Sequence, residues 1–205
     1  MSQPPFPTDD RFAIDSAALG ALFREARTAN TFSDEPVTDE QLEAIYEIMK
    51  WAPTSANTQP LRIHIVRSPE AKARLLPLMS EGNRAKTESA PAVAILSADL
   101  DFHENLPRLF PHNPNMKDYF GDPVAREKFS RFNAAIQAGY FTLAVRAVGL
   151  AAGPMAGFDA PGVDAEFLAG TPLKSILVVN IGKPGENPWF DRSPRMEFNE
   201  VVTIL

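Results

Sequence analysis

The chain contains no cysteine in its 205 residues. This absence excludes disulfide bonds, thiolate metal sites, iron–sulfur clusters and a cysteine nucleophile. Basic residues are also few, because 20 Lys and Arg stand against 26 Asp and Glu, a formal net charge of −6. Such a chain is unsuited to nucleic acid or an anionic membrane, and neither is predicted as a partner. The three histidines, His64, His103 and His112, are not spaced as metal ligands, and we predict no metal site.

Long apolar runs and several familiar motifs are missing as well. No apolar stretch approaches the ~18 residues that cross a bilayer. The N-terminal MSQPPFPTDDRF lacks the basic region and apolar core of a signal peptide, so a cytoplasmic location is expected. The sequence has no G-x-S-x-G, no Walker A loop and no G-x-G-x-x-G after a strand. These absences argue against a nucleophile elbow, a P-loop and the usual dinucleotide-binding fold.

The spacing of apolar residues predicts a single α+β domain over residues 1–205, with residues 1–12 as an extended arm. Helices are predicted over residues 16–28, from a Thr38/Gln41 capping box to before Pro53, and over 68–78, 122–149 and 162–168. Strands are predicted over residues 61–66, 92–97 and 175–181, and a short extended piece over 200–205. Few strands among many helices indicate a small sheet wrapped by helices. A partner subunit could close a free edge of that sheet with its C-terminal tail.

One loop has an unusual density of short polar side chains. APTSANTQP, residues 52–60, places five of them between a predicted helix and strand, with a proline near each end. Such residues form local turns in ordinary loops. A rigid loop of this kind can also hold hydrogen-bonding groups in the fixed positions that a flavin requires.

This loop resembles the A-P-S-x-x-N-x-Q-P motif of the FMN-dependent nitroreductase family. Four more segments are similar to that family, in the same order: FREARTANTFSDEPV (23–37), NRAK (83–86), GPMAGFD (153–159) and DRSPR (191–195). The resemblance implies a nitroreductase-like fold with a mostly antiparallel sheet, in an intertwined homodimer that binds FMN between subunits. It also implies ping-pong hydride transfer from NADH or NADPH, through flavin N5, to a small electrophilic acceptor.

Within the family, ART-x-N, MKWAPTSAN, LFPH and GPMAGFD are similar to the branch that includes malonic-semialdehyde reductase. This likeness implies malonic semialdehyde as the acceptor, with reduction to 3-hydroxypropionate, while nitro, quinone and enone compounds stay open. A flavin-binding protein of the same fold without nicotinamide turnover, for flavin remodelling or carriage, is the alternative. A structural or interaction domain without a cofactor is a third interpretation.

The resemblance assigns the FMN phosphate to two segments near the chain ends. Arginine suits phosphate because it forms paired, charge-assisted hydrogen bonds. The assigned residues are Arg27, Thr28, Asn30, Arg192 and Arg195. The first segment departs from the family pattern. When it is aligned on Phe32, the family's first arginine falls on Ala26 and its second basic residue falls on Asn30.

Three more segments are assigned to the flavin ring. Asn83 would bond the pyrimidine edge, and Lys86 would place positive charge near N1 and C2=O, which favours the anionic reduced form. The residues over N5 would be Pro154, Met155, Ala156 and Gly157, with a backbone N–H as the donor. The residues reaching the flavin of the other subunit would be Pro53, Thr54, Ser55 and Asn57.

The aromatic segment of about residues 101–121 is predicted to be a lid-like insertion, because it has more large apolar groups than a plain loop. Its candidate substrate-facing residues are Phe110, His112, Tyr119 and Phe120. Arg108 and Arg131 are candidates for binding a substrate carboxylate. No side chain is assigned as a catalytic acid, and water or a lid residue would supply the proton.

Overall fold

The computed structural model describes residues 12–205. The predicted N-terminal arm lies outside this range except for its last residue. Within the range, the strands are β1 (Leu61–Val66), β2 (Ala92–Asp99), β3 (Ala151–Met155) and β4 (Leu173–Gly182). The α-helices are α1 (Ser16–Leu19), α2 (Asp39–Met49), α3 (Pro69–Leu75), α4 (Glu81–Ser89), α5 (Leu106–Leu109), α6 (Pro123–Ala147), α7 (Ala160–Phe167) and α8 (Phe198–Val201).

The four strands form one sheet, in the order β1-β2-β4-β3, and every pair is antiparallel. Strand β2 is central and every one of its residues is buried, as its continuous apolar sequence predicts. Strands β1 and β3 are the edges. The prediction of a small antiparallel sheet wrapped by helices is confirmed.

The core has two layers because alternate residues of β2 face opposite sides of the sheet. Ala94 and Leu96 belong to the layer that contains α6, with Phe141 of that helix. Val93 and Ile95 belong to the other layer, against α3 and α7. The α6 side of β2 has alanine at three positions, which allows the long helix to approach the sheet closely.

Most predicted elements are confirmed, and three need correction. The first helical segment ends at Arg24 instead of residue 28, because it widens into a π-helical turn, Gly20–Arg24, in which Glu25 N–H donates to Gly20 O at 2.9 Å. Strand β3 is absent from the predicted strands because it contains glycine and proline, which an edge strand tolerates. The predicted extended C-terminus begins as α8, with a capping box between Glu197 and Glu200.

None of the helices between residues 12 and 205 combines the length and apolarity that a membrane crossing needs.

Candidate functional site

A cleft of about 480 Å³ opens between two segments that lie near opposite ends of the described chain, residues 26–30 and 190–195. Six residues assigned to the cofactor from sequence line it: Arg27, Thr28, Asn30, Lys86, Arg192 and Arg195. They come from the segment after the π-helical turn, from α4 and from the segment before α8. The structure therefore brings together residues that lie far apart in the sequence.

The two terminal segments are fastened side by side by hydrogen bonds. The Asn30 backbone N–H donates to Pro188 O at 3.0 Å, Thr31 Oγ1 donates to Glu186 O at 2.7 Å, and Arg27 Nη1 donates to Phe190 O at 2.8 Å. These bonds fix the width of the cleft.

Glycine allows the close approach behind these bonds. A Cβ on Gly185 would lie 2.9 Å from the backbone of Phe32, a residue that forms an isolated β-bridge with Pro184.

The cleft concentrates positive charge in a negatively charged chain. Its lining has five cationic side chains and one carboxylate, that of Asp191. Within residues 12–205 none of the five forms an ion pair with a carboxylate. The cationic residues are Arg27, Lys86, Arg146, Arg192 and Arg195.

The arginines of the cleft are held by backbone carbonyls, which leave their charge uncompensated. Arg192 Nη2 donates to Arg24 O at 2.6 Å and to Ala26 O at 3.2 Å. The Nε atoms of Arg27, Arg146 and Arg192 are buried and have no acceptor among the described residues. The donor set and its charge fit the phosphate of FMN.

Burial lowers the pKa of Arg146 below its ordinary value, and the neighbouring charge of Arg192 lowers this pKa further. Two guanidinium groups that repel each other in a cleft favour an anion between or beside them. Sequence reasoning missed Arg146, because it ends a long helix and no motif marks it.

The Asn83 side chain is fixed where α4 meets the turn after β3. Its Nδ2 donates to Gly157 O at 2.8 Å, and Ser80 N–H donates to the same carbonyl at 3.0 Å. A Cβ at Gly157 would lie 2.7 Å from Asn83 Nδ2, so the contact requires glycine. Lys86 lies one turn after Asn83 on α4, within the cleft.

Of the four residues assigned over N5, Met155 is the one whose side chain is buried. Its side chain is in the core, where Thr87 Oγ1 and Asn180 Nδ2 each approach Sδ at 3.8 Å. Any contact of Met155 with a cofactor therefore falls to its backbone. Pro154 and Gly157 are half-buried and Ala156 is exposed.

The polar loop of residues 52–60 does not line the cleft of its own chain. Pro53, Ser55 and Asn57 are exposed and Thr54 is half-buried. The loop is tied to its own chain instead, because Ser55 N–H donates to Asn133 Oδ1 at 2.8 Å.

The amide of Asn57 is engaged at both ends. Its Nδ2 donates to Leu109 O at 2.9 Å, and its Oδ1 accepts from Gln59 Nε2 at 2.7 Å. These bonds link the polar loop to α5, within the aromatic segment.

The aromatic segment has its own small core, which corrects the interpretation of Phe120 as a substrate-facing residue. Phe120 is buried, with its ring centroid 4.9 Å from that of Phe102 and 4.8 Å from that of Phe129. Tyr119 is 76% exposed, and Phe110 pairs with His112 at a centroid distance of 4.1 Å. The two carboxylate-binding candidates are exposed or paired elsewhere: Arg108 is exposed, and Arg131 donates to Glu127 at 2.8 Å.

The fold and the cleft define an α+β protein with a cationic site for an anionic ligand. The Nitroreductase family model matches residues 23–183, and the chain belongs to this family.

Its relatives cover the same length. A Streptomyces griseus protein with the provisional name NADH dehydrogenase/NAD(P)H nitroreductase is 58% identical over 195 residues, covering 94% of this chain and 98% of the relative. A Leptothrix cholodnii protein of the same provisional name is 50% identical over 194 residues, with the same coverage.

Solved structures share the fold at lower identity. A Bacillus subtilis nitroreductase-type protein aligns with TM-score 0.82 at 22% identity, covering 92% of this chain and 99% of its own. An Exiguobacterium sibiricum nitroreductase-type protein, solved in complex with FMN, aligns with TM-score 0.80 at 19% identity, covering 97% and 100%.

Proposed function

We propose that the chain is an FMN-dependent NAD(P)H oxidoreductase that reduces a small electrophilic acceptor. The observation that carries this proposal is the cleft, which gathers six of the residues assigned to FMN from sequence around uncompensated positive charge. The names of the relatives and the FMN complex of a protein with this fold support it. When bound, FMN would supply the hydride chemistry, taking hydride from NADH or NADPH and passing it to the acceptor.

The chain's own residues hold and orient the cofactor. Arg27, Arg192 and Arg195 neutralise the phosphate, and Thr28 bonds to it from the same wall of the cleft. Asn30 holds this wall in place, because its Nδ2 donates to Thr28 O at 3.3 Å and to Pro188 O at 3.4 Å. The fixed width of the cleft gives orientation as well as affinity, because preformed donors do not have to be ordered on binding.

The flavin ring would be held beside α4. Lys86 has no hydrogen bond or ion pair from its ammonium group within the described part of the chain, so it is available to the ring. Asn83 would bond to the pyrimidine edge through the part of its amide that Gly157 does not use. The backbone of residues 154–157 would face N5.

We propose that the functional unit is an intertwined homodimer. Apolar side chains are exposed on α6, where Phe132 is 64% and Tyr140 is 41% exposed, and along the C-terminal segment at Phe198, Val201 and Ile204. A lone chain rarely leaves so much apolar surface in water. A partner would cover these residues and could close the free edge at β1.

The dimer also gives the polar loop a role. Pro53, Thr54, Ser55 and Asn57 would contact the flavin held by the other subunit. The bond from Asn57 to Leu109 keeps this loop and the aromatic segment together, so Phe110, His112 and Tyr119 would accompany it to the same site. Together they would cover the partner's flavin and exclude water from the acceptor.

The acceptor is a finer proposal. The resemblance to the malonic-semialdehyde reductase branch favours an aldehyde, and nitro, quinone and enone compounds are the alternatives. A stopped-flow comparison of these acceptors with the reduced enzyme would rank them by rate. If malonic semialdehyde is the substrate, it should reoxidise the enzyme fastest and yield 3-hydroxypropionate.

The central test is an absorption spectrum of the native protein before and after each reduced nicotinamide. We expect a yellow protein whose blue absorption bleaches under anaerobic conditions, with NADH and NADPH compared at equal concentration. A yellow protein that neither nicotinamide bleaches would contradict the oxidoreductase proposal and favour a flavin carrier or flavin-remodelling protein. A colourless protein that takes up no added FMN would contradict flavin binding altogether.

A further inference from the structure

Arg146 lies on the wall that separates the cleft from a smaller neighbouring pocket. It lies in the last turn of α6, whereas most of the cleft is built by the two terminal segments. Ala26, Arg27 and Arg146 line both the cleft and a smaller pocket of about 180 Å³. These three residues therefore stand between the two spaces.

One nitrogen of the Arg146 guanidinium is already engaged, and two are not. Nη1 donates to Leu22 O in the π-helical turn at 3.1 Å. Nε is buried without an acceptor, and no acceptor in residues 12–205 bonds to Nη2. The bond to Leu22 fixes the group in place without using its charge.

The charge of Arg146 has no acidic counterpart among residues 12–205. No carboxylate within the described range forms an ion pair with Arg146 or with Arg192. Arg27 is anchored in the same way, with Nη1 on the carbonyl of Phe190. Three guanidinium groups are thus held by carbonyls around one cleft, and each retains unused donors. This arrangement suits an anion with several acceptor oxygens.

We propose that Arg146 is a phosphate-binding residue of the cleft, acting with Arg27 and Arg192 on the cofactor. The identity of the cofactor as FMN rests on the proposed function above. Because Arg146 belongs to the helix that packs on β2, phosphate binding would join the terminal segments to the core helix. The bound phosphate would then hold three parts of the chain together: the two terminal segments and α6.

The test compares FMN with riboflavin, which lacks the phosphate. Apo protein carrying Arg146→Met, Arg146→Lys or the control Arg74→Met would be titrated with each flavin by fluorescence quenching. Arg74 is on α3, pairs with Glu166 and does not line the cleft. We expect Arg146→Met to weaken FMN binding roughly 10- to 100-fold, as for the loss of a hydrogen bond between charged groups. Its affinity for riboflavin should be unchanged, Arg146→Lys should be intermediate for FMN, and Arg74→Met should match the unsubstituted protein.

Two results would overturn the proposal. If Arg146→Met binds FMN as tightly as the unsubstituted protein, Arg146 does not contact the phosphate. If it loses FMN and riboflavin affinity equally, the residue only holds the π-helical turn in place.

A second measurement does not depend on flavin. Inorganic phosphate should raise the Tm of the unsubstituted apo protein and raise that of Arg146→Met less. An equal rise in both would contradict the proposal. If the unsubstituted protein binds neither flavin, the proposed function fails, and this phosphate-dependent Tm still tests Arg146.

Discussion

Gly157 has no side chain at the point where the turn after β3 meets α4, and this lets Asn83 bond to its carbonyl. Gly157→Ala would force a Cβ to within 2.7 Å of Asn83 Nδ2, so that amide has to move. We expect the free energy of unfolding to fall by about 1 kcal/mol for the lost hydrogen bond. FMN affinity should fall with it, because Asn83 leaves the position proposed for the flavin edge. Urea denaturation and flavin titration would measure the two effects.

Gly82 provides the matched control on the same helix. A Cβ at Gly82 would meet nothing within 4 Å, and the residue is helical and exposed. Gly82→Ala should therefore raise the free energy of unfolding by about 0.5–1 kcal/mol and leave FMN affinity unchanged. Equal effects of the two substitutions would show that the contact between Asn83 and Gly157 has no special role.

His64 provides a pH-dependent prediction at the same scale. It lies in β1, where burial lowers its pKa below 6.5, and its Nδ1 is buried without a partner. As pH falls below about 6.5, the unfolded chain takes up a proton at His64 that the folded chain resists. The free energy of unfolding should therefore fall between pH 7 and pH 5, before most carboxylates titrate.

The variant His64→Gln should reduce this loss, since its side chain does not titrate. Urea denaturation at several pH values would measure both proteins. Parallel curves over this pH range would contradict a role for His64 in the pH dependence.

At the scale of elements, the polar loop is held in an unusual backbone conformation. Three non-glycine residues in it have positive φ: Ala56 at 51°, Asn57 at 50° and Gln59 at 43°. Asparagine tolerates this region, whereas alanine is strained there by about 1–2 kcal/mol. Strain of this kind is retained where the surrounding structure fixes it, which agrees with the role proposed for the loop.

Ala56→Gly should relieve this strain and raise the free energy of unfolding by up to about 1 kcal/mol, because the relief exceeds the entropy cost of glycine. Ala85→Gly, in α4, should lower it by about 1 kcal/mol, since that residue is helical. Urea denaturation would give both values. If Ala56→Gly destabilises the protein as much as Ala85→Gly does, residue 56 is not strained in a left-handed conformation.

The elements that could be predicted from sequence are those with a strong local signal. Strand β1 matches its predicted bounds, and the Thr38/Gln41 capping box forms as expected. Strand β3 could not be predicted, because its pairing with β4 outweighs the local preferences of Gly153 and Pro154. The π-helical turn was missed for a similar reason, since arginines from distant segments satisfy its carbonyls.

At the scale of the whole molecule, the sequence motifs predicted most of the cleft but not its full charge. Arg27 and Arg192 were assigned because they lie in recognisable segments. Arg146 was not, because its place in the cleft depends on how α6 crosses the sheet. The position of Phe120 also depended on tertiary packing, which buries it against Phe102 and Phe129.

The homodimer is tested by a charge on the exposed face of α6. Phe132→Glu should sediment as a monomer, whereas the unsubstituted protein should sediment as a dimer. The reason is that a buried carboxylate is costly in an apolar interface. FMN affinity should fall in the same variant, since the polar loop of the partner is lost. Ala73→Glu, at an exposed position on α3, should remain dimeric. A dimer in Phe132→Glu would mean that this face of α6 is not the interface.

Residues 26–30 and 186–195 build most of the cleft, together with Lys86 and Arg146, and hydrogen bonds join these two segments. A ribosome synthesises the second of these segments long after the first. A nascent chain therefore has no complete cleft until residues 186–195 have left the ribosome, and the proposed cofactor can be loaded only after that point. A premature stop after residue 185 would leave all four strands in the chain and remove one wall of the cleft.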